Sequence, residues 1–371
     1  MSAKSLSHTM REVSIRGPHD TEIWSRLLSR ADMIAHSFNP KQTALVVNSL
    51  ARMKSSNFRA MIESRDLINP FMTRFDKKFL ASVIQHSSAL DIAQIAHGFE
   101  VLGTRMTSRN FSSLLAKITQ LASHMDTSSV SMCALALSHE TGCEDDKVKC
   151  LEALVSRIMG NDQINEQCLA QMLRACATVP GQSRIVKIVE EMCMKNLPMI
   201  ETMSIRGLCV CLNSLAKLKM VDRPVVNEII ILVADRVDRE DSAFRDGASI
   251  LQVGLLLRSL QKLGVQSVAP ILEHRLVQYI RMRNIETNMS SKAICLLVSA
   301  LTQVSQTEDL VVSFIRRKRN DGQIFSPTEI AALSSALKTS RMDPNIIESL
   351  IRDVRDDART YIQNPIHSTV V

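Results

Sequence analysis

Arg, Lys, Asn, Ser and Thr are the side chains that hold phosphates and read base edges, and this chain repeats them at two fixed places in a longer pattern. One set of equivalent positions is Asn48, His97, Leu135, Arg174, Asn213, Arg258, Ser299 and Ser335. The other is Arg52, Val101, His139, Thr178, Lys217, Lys262, Gln303 and Thr339. None of the sixteen is acidic, so the chemistry on offer is capture of a polyanion by charge and hydrogen bonding. The candidate nucleic-acid contacts are Asn48, Arg52, His97, His139, Arg174, Asn213, Lys217, Arg258 and Lys262. The competing reading of the same residues is a solvated or protein-binding face.

The pattern that positions them is a repeat. Its anchors are Leu50, Phe99, Leu137, Cys176, Leu215, Leu260, Leu301 and Leu337, separated by 49, 38, 39, 39, 45, 41 and 36 residues. Apolar residues recur seven, four and three positions before the anchor and three after it, as in Leu208, Cys211, Leu212 and Leu218 around Leu215. At 100° per residue these positions fall within about 60° of the anchor, which makes one helical stripe. Six before the anchor and one before it stand small residues, such as Cys209 and Ser214 or Gly254 and Ser259, where neighbouring helices can approach closely. This element is termed the A helix. The candidate residues stand two before and two after the anchor, on the side opposite the stripe.

Each A helix needs a packing partner, and the chain supplies one after every anchor. The reading in order is an unstructured or presequence-like tail over 1–20, a capping helix over 21–38, and A helices starting near Pro40, Ala89, Ser128, Glu166, Ile205, Ala248, Ser291 and Pro327. B helices are expected at 111–125, 147–159, 185–195, 224–239, 268–283, 308–319 and 344–363, the last serving as the C-terminal cap, with 364–371 as a tail. Between Ser55 and Ser87 the spacing is widest: a short helix around Phe58 to Ile62, a break at Asn69-Pro70 and a second helix from Phe75 to Gln85 are expected. No linker divides the chain. The expectation is an all-α fold, an α-solenoid of about eight helix-turn-helix repeats of roughly 36–49 residues, forming a single domain over 21–363.

Composition agrees with this. Aromatics make up 4% of the chain, with eleven Gly and ten Pro, which suits Leu/Ala/Met helix packing and argues against a β-sandwich. The nine Cys are odd in number, form no CxxC pair and fall mostly in apolar columns, so buried packing in a reducing compartment is expected, not disulfides or zinc. No stretch approaches the length of apolar chain that spans a bilayer. There is no Gly-rich phosphate loop, HExxH or nucleophile elbow, so no enzyme, cofactor or metal is expected. His97, His274 and the His139-Glu140 pair read as structural where catalysis is concerned.

The charge is localised. Sixteen-residue windows around the eight anchors hold twelve Lys or Arg and six Asp or Glu, a net +6 of the chain's +7. Arg316-Arg317-Lys318-Arg319 lies at the end of a B helix, where cations complement the helix dipole.

The A-helix form Leu208-Cys209-Val210-Cys211-Leu212-Asn213-Ser214-Leu215-Ala216-Lys217-Leu218, set in hairpins of this length, resembles the organellar RNA-binding repeats: the heptatricopeptide and octotricopeptide repeats and those of FAST-kinase-like proteins. The resemblance covers about residues 21–363. It implies a mitochondrial location, or alternatively a plastid one, and a role with organellar rRNA or mRNA, including a place beside other protein subunits in a ribosome or similar ribonucleoprotein. Members often end in a RAP domain, for which Pro344 to Val371 leaves no room; this puts nuclease-like activity in doubt and favours structural RNA binding. The alternative is a protein scaffold that holds a partner helix or peptide in its groove.

Overall fold

A helix whose apolar residues return every three or four positions can bury them only against another helix. In the computed structural model of the chain, every regular element among the described residues is helical. The description covers all residues except 17–20, 57–67, 139–141, 161–163, 180–182, 239–248, 265–268, 283–290, 303, 305–306, 321–324, 339, 341 and 364–371. Two compact units are present, Met1–Met199 and Ile200–Val371. The expected helices near Phe58 and the tail over 364–371 lie outside the described residues.

The first unit contains α1 (Ala3–Arg16), α2 (Thr21–Ile34), α3 (Pro40–Ser56) and α4, which runs over 68–86 through a π-helical turn at Asp76–Leu80. It continues with α5 (Ala89–Leu102), α6 (Ser108–Leu121), α7 (Thr127–Leu137), α8 (Glu144–Met159), α9 (Glu166–Cys176) and α10 (Ser183–Lys195). The short α11 (Leu197–Thr202) falls at the boundary. The second unit contains α12 (Ile205–Lys217), α13 (Pro224–Asp238), α14 (Ile250–Leu263), α15 (Ala269–Met282), α16 (Ser291–Leu301), α17 (Glu308–Asn320), α18 (Pro327–Lys338) and α19 (Pro344–Gln363).

Within each unit the A helices pack side by side in chain order. In the first, α1 meets α3, α3 meets α5, α5 meets α7 and α7 meets α9; in the second, α12 meets α14, α14 meets α16 and α16 meets α18. The B helices make a parallel row, α4 to α6 to α8 to α10 in the first unit and α13 to α15 in the second. The anchors Leu50, Phe99, Leu137, Cys176, Leu215, Leu260, Leu301 and Leu337 are all buried, at 0–1% exposure, between the two rows.

The small columns set the spacing. A Cβ on Gly98, one before its anchor, would collide with Val47 Cγ1 of the preceding A helix, and one on Gly254, six before its anchor, would lie 2.7 Å from Leu297 Cδ2 of the following A helix. The two columns therefore face opposite neighbours. Cys209, in the second column, donates its thiol to the Gln252 carbonyl of the next A helix at 3.5 Å, and Cys295 does the same to Glu329 at 3.8 Å. Where the first column holds Ser, the buried hydroxyl donates to the carbonyl four residues back: Ser49 to Leu45, Ser214 to Val210 and Ser259 to Leu255, at 2.6–2.8 Å.

Helix starts recur with equal regularity. Asn39, Ser88, Asp126, Asn165, Ser204, Ser249 and Ser326 each stand eleven before an anchor, and each side chain accepts from the backbone N–H three residues on. This satisfies one of the donors that a helix start leaves open. In the loops before two of these helices, Met125 and Met203 pack against Cys133 and Cys211, sulfur to sulfur at 4.0 and 3.7 Å.

Two expectations need correction. Residues 1–20 read as an unstructured tail, yet Ala3–Arg16 is helical, with Leu6 and Met10 at 0% exposure against α3. Met10 stands 40 residues before Leu50, within the repeat's own range, so α1 is a further A helix that covers the first one. Its pattern is hidden because Ser7 and Ser14 occupy buried places, Ser7 donating to the Lys4 carbonyl at 3.0 Å. The helix expected to do this over 21–38 is instead the partner of α1, tied towards α4 by the bidentate Arg74–Asp32 pair at 2.7 and 3.1 Å. Likewise the break expected at Asn69-Pro70 is not seen: both residues are helical and continuous with the rest of α4.

Leu6→Ala should lower the unfolding free energy by about 2–5 kcal/mol in a urea titration of the full chain, as for any fully buried leucine; a change near zero would mean that α1 contributes no core. Gly98→Ala should cost roughly 1–3 kcal/mol, and the double variant Gly98→Ala/Val47→Ala should recover part of that loss, because the steric conflict involves Val47 itself.

Candidate functional site

The two columns of candidate residues sit at different depths. Two before the anchor, Asn48, His97, Asn213 and Arg258 are half-buried between neighbouring A helices, with Arg174 exposed. Two after it, Arg52, Lys217 and Lys262 are exposed. His139 lies outside the described residues. The depth follows from packing, because the earlier column leans over the preceding helical turn and is flanked by adjacent A helices.

In the second unit these residues come together. Asn213 and Lys217 lie one turn apart on α12, and Arg258 and Lys262 one turn apart on α14, the helix packed beside it. Partial burial lowers the Lys262 pKa from its ordinary value, and the positive charges of Arg258 and Lys217 lower it further. Among the described residues none of the three cations has an ion pair. Lys217 and Lys262 also lie in the last turns of their helices, where the dipole favours a cation. That attraction accounts for each lysine singly, but not for the half-buried Arg258 one turn before Lys262.

The first unit differs. Glu100, one after the anchor Phe99 and so outside both columns, is 13% exposed at its side chain and lies 3.7 Å from His97 Nδ1, beyond hydrogen-bond length. Burial raises its pKa, and His97, Arg174 and Lys54 pull it back down. Burial lowers the pKa of His97, with Glu100 opposing. Lys54 donates to the Leu102 carbonyl at 2.9 Å. Arg174 and His97 therefore share their face with a carboxylate. Window by window, the four anchored A helices of this unit carry four Lys or Arg against five Asp or Glu, whereas the four of the second carry eight against one. The basic excess belongs to the second unit.

The cysteines serve packing. Seven of the nine are buried, with Cys143 and Cys295 partly so, and burial pushes the thiols of Cys150, Cys168, Cys176 and Cys209 up to about 12. A thiol held that high stays protonated and is a poor nucleophile. Among the described residues no group of His, Cys, Asp and Glu is placed to hold a metal ion, and no helix is long and apolar enough to cross a membrane.

Set against known proteins, the chain matches no family model and no curated protein. What the site does must therefore be argued from its residues.

The buried acid offers a direct check on this electrostatic picture. Because the folded pKa of Glu100 lies above its ordinary 4.5, the unfolded chain releases that proton first, and stability falls as pH rises through 4.5 towards the folded value. Glu100→Gln should therefore raise the melting temperature at pH 7, with the gain shrinking as pH approaches 4.5. A gain that is the same at both pH values would show that Glu100 is not strained by ionisation.

Proposed function

We propose that the chain is a non-enzymatic RNA-binding protein of stacked helical hairpins, which holds the phosphate backbone of organellar rRNA or mRNA on the outward side of its A helices. The observation that carries this reading is the convergence of Lys217, Arg258 and Lys262 on α12 and α14, with no acid beside them among the described residues. Like charges placed this close repel, and a polyanion turns that repulsion into binding free energy. Asn213 beside them adds a neutral donor and acceptor of the kind that contacts nucleic acid.

The repeat pattern supports the same reading. Its resemblance to organellar RNA-binding hairpins adds a compartment, the mitochondrion or alternatively a plastid, and a setting in a ribosome-associated complex with other protein subunits. A protein scaffold is the second reading, and the first unit favours it locally: its A-helix side mixes His97, Glu100 and Arg174 with the half-buried, apolar Val101 and Leu135.

The test is fluorescence anisotropy of the full chain with single-stranded RNA across a salt series. Wild-type affinity should fall with salt, and the triple reversal Lys217→Glu/Arg258→Glu/Lys262→Glu should weaken binding by about a hundredfold or more. The pair Arg52→Glu/Arg174→Glu in the first unit should have a smaller effect. Affinity that ignores both salt and the triple reversal would refute the proposal.

A further inference from the structure

We infer that Lys217, Arg258 and Lys262 act together on one phosphate group, as a clamp formed between α12 and α14, and do not meet three successive phosphates separately. The inference deepens the RNA-binding reading and rests on it for the source of the phosphate, the backbone of a strand.

The argument is geometric. Arg258 and Lys262 are four residues apart on one helix and so project from one side of it. Lys217 stands on the adjacent helix at the same place in the repeat as Lys262, and consecutive A helices lie about 8–10 Å apart. Long, flexible lysine side chains from both helices can meet over Arg258, which is the deepest of the three because it is half-buried where they are exposed. Arg258 supplies a planar fork that fits two oxygens of a phosphate, and the lysines supply point charges above it. Asn213, half-buried on α12 one turn before Lys217, completes the fourth corner. The influence of Arg258 and Lys217 on Lys262 shows that the charges already sense each other in the free protein. Among the described residues of the first unit, Arg174 acts on Glu100 instead.

Cations that share a phosphate are energetically coupled, whereas cations on different phosphates act independently. The full chain and its Lys217→Gln, Lys262→Gln and double variants should therefore be compared for binding to a single-stranded RNA. Each single change should weaken binding about tenfold, as expected when one charged hydrogen bond is lost, and the double change should fall clearly short of the product. The salt slope supplies an independent count: it changes by about 0.7 per phosphate released on a single strand. The triple variant Lys217→Gln/Arg258→Gln/Lys262→Gln should thus lose about 0.7 if one phosphate is held and about 2 if three are. Multiplicative losses with a slope change near 2 would overturn the clamp and leave RNA binding standing.

A second arm separates the clamp from its source. Inorganic pyrophosphate, titrated into the full chain and followed through the lysine side-chain NMR signals, should move Lys217 and Lys262 together, saturably, and raise the pKa of Lys262; the Arg258→Gln variant should abolish the joint shift. Pyrophosphate binding without RNA binding would keep the clamp and refute the RNA reading. Absence of both would refute both. Comparing 5′-phosphorylated with 5′-hydroxyl strands then tells a terminal phosphate from an internal one: equal affinity is expected for a backbone contact, and a strong preference for the phosphorylated end would overturn the backbone as the source.

Discussion

The close approach of consecutive A helices is the constraint on which the rest of each unit depends. Gly98 against Val47 and Gly254 against Leu297 leave no room for another methyl group, and the thiols of Cys209 and Cys295 reach across to the next helix's carbonyls. Because the two small columns face opposite sides of the helix, one set of residues fixes the distance to the helix before and the other to the helix after. The anchors then fall at the same depth between the two rows, and each is fully buried. Equivalent surface positions are carried along, which is why residues some 40 places apart in the chain become neighbours.

That approach has an electrostatic consequence with a different outcome in each unit. In the second it crowds Lys217, Arg258 and Lys262, and desolvation together with mutual repulsion weakens the hold of Lys262 on its proton. In the first it brings Arg174 and Lys54 within reach of the half-buried Glu100, so those cations are offset internally. One side is left with charge to satisfy from outside and the other with charge already satisfied. The same packing rule therefore yields a basic surface in one unit and a mixed one in the other. The distinction comes from single residues such as Glu100, not from the repeat.

Much of the helical architecture was legible in the sequence because its signals are local. The apolar stripe and the Ser326-Pro327-Thr328-Glu329 start each lie within one helix, so periodicity and capping chemistry are enough to place them. Every anchored A helix also has Asn, Ser or Asp eleven before its anchor, and all seven that are described cap their helices. α1 escaped notice because buried serines replaced leucine or alanine, and a serine that bonds its own helix's carbonyl is as comfortable inside as a small apolar residue.

The sequence by itself determined that the fold is all-α, where most A helices begin and which stripe of each is buried. Those are properties of one helix at a time, set by side-chain period and backbone geometry. Only the tertiary structure decided which of the candidate residues come near one another. The overall charge excess was visible in the sequence, but not that Glu100 would offset it in one unit while Lys262 would feel both Arg258 and Lys217 in the other. Interactions of that kind depend on the separation of helices far apart in the chain, and Coulomb energy and desolvation vary too steeply with distance and burial for spacing alone to show them.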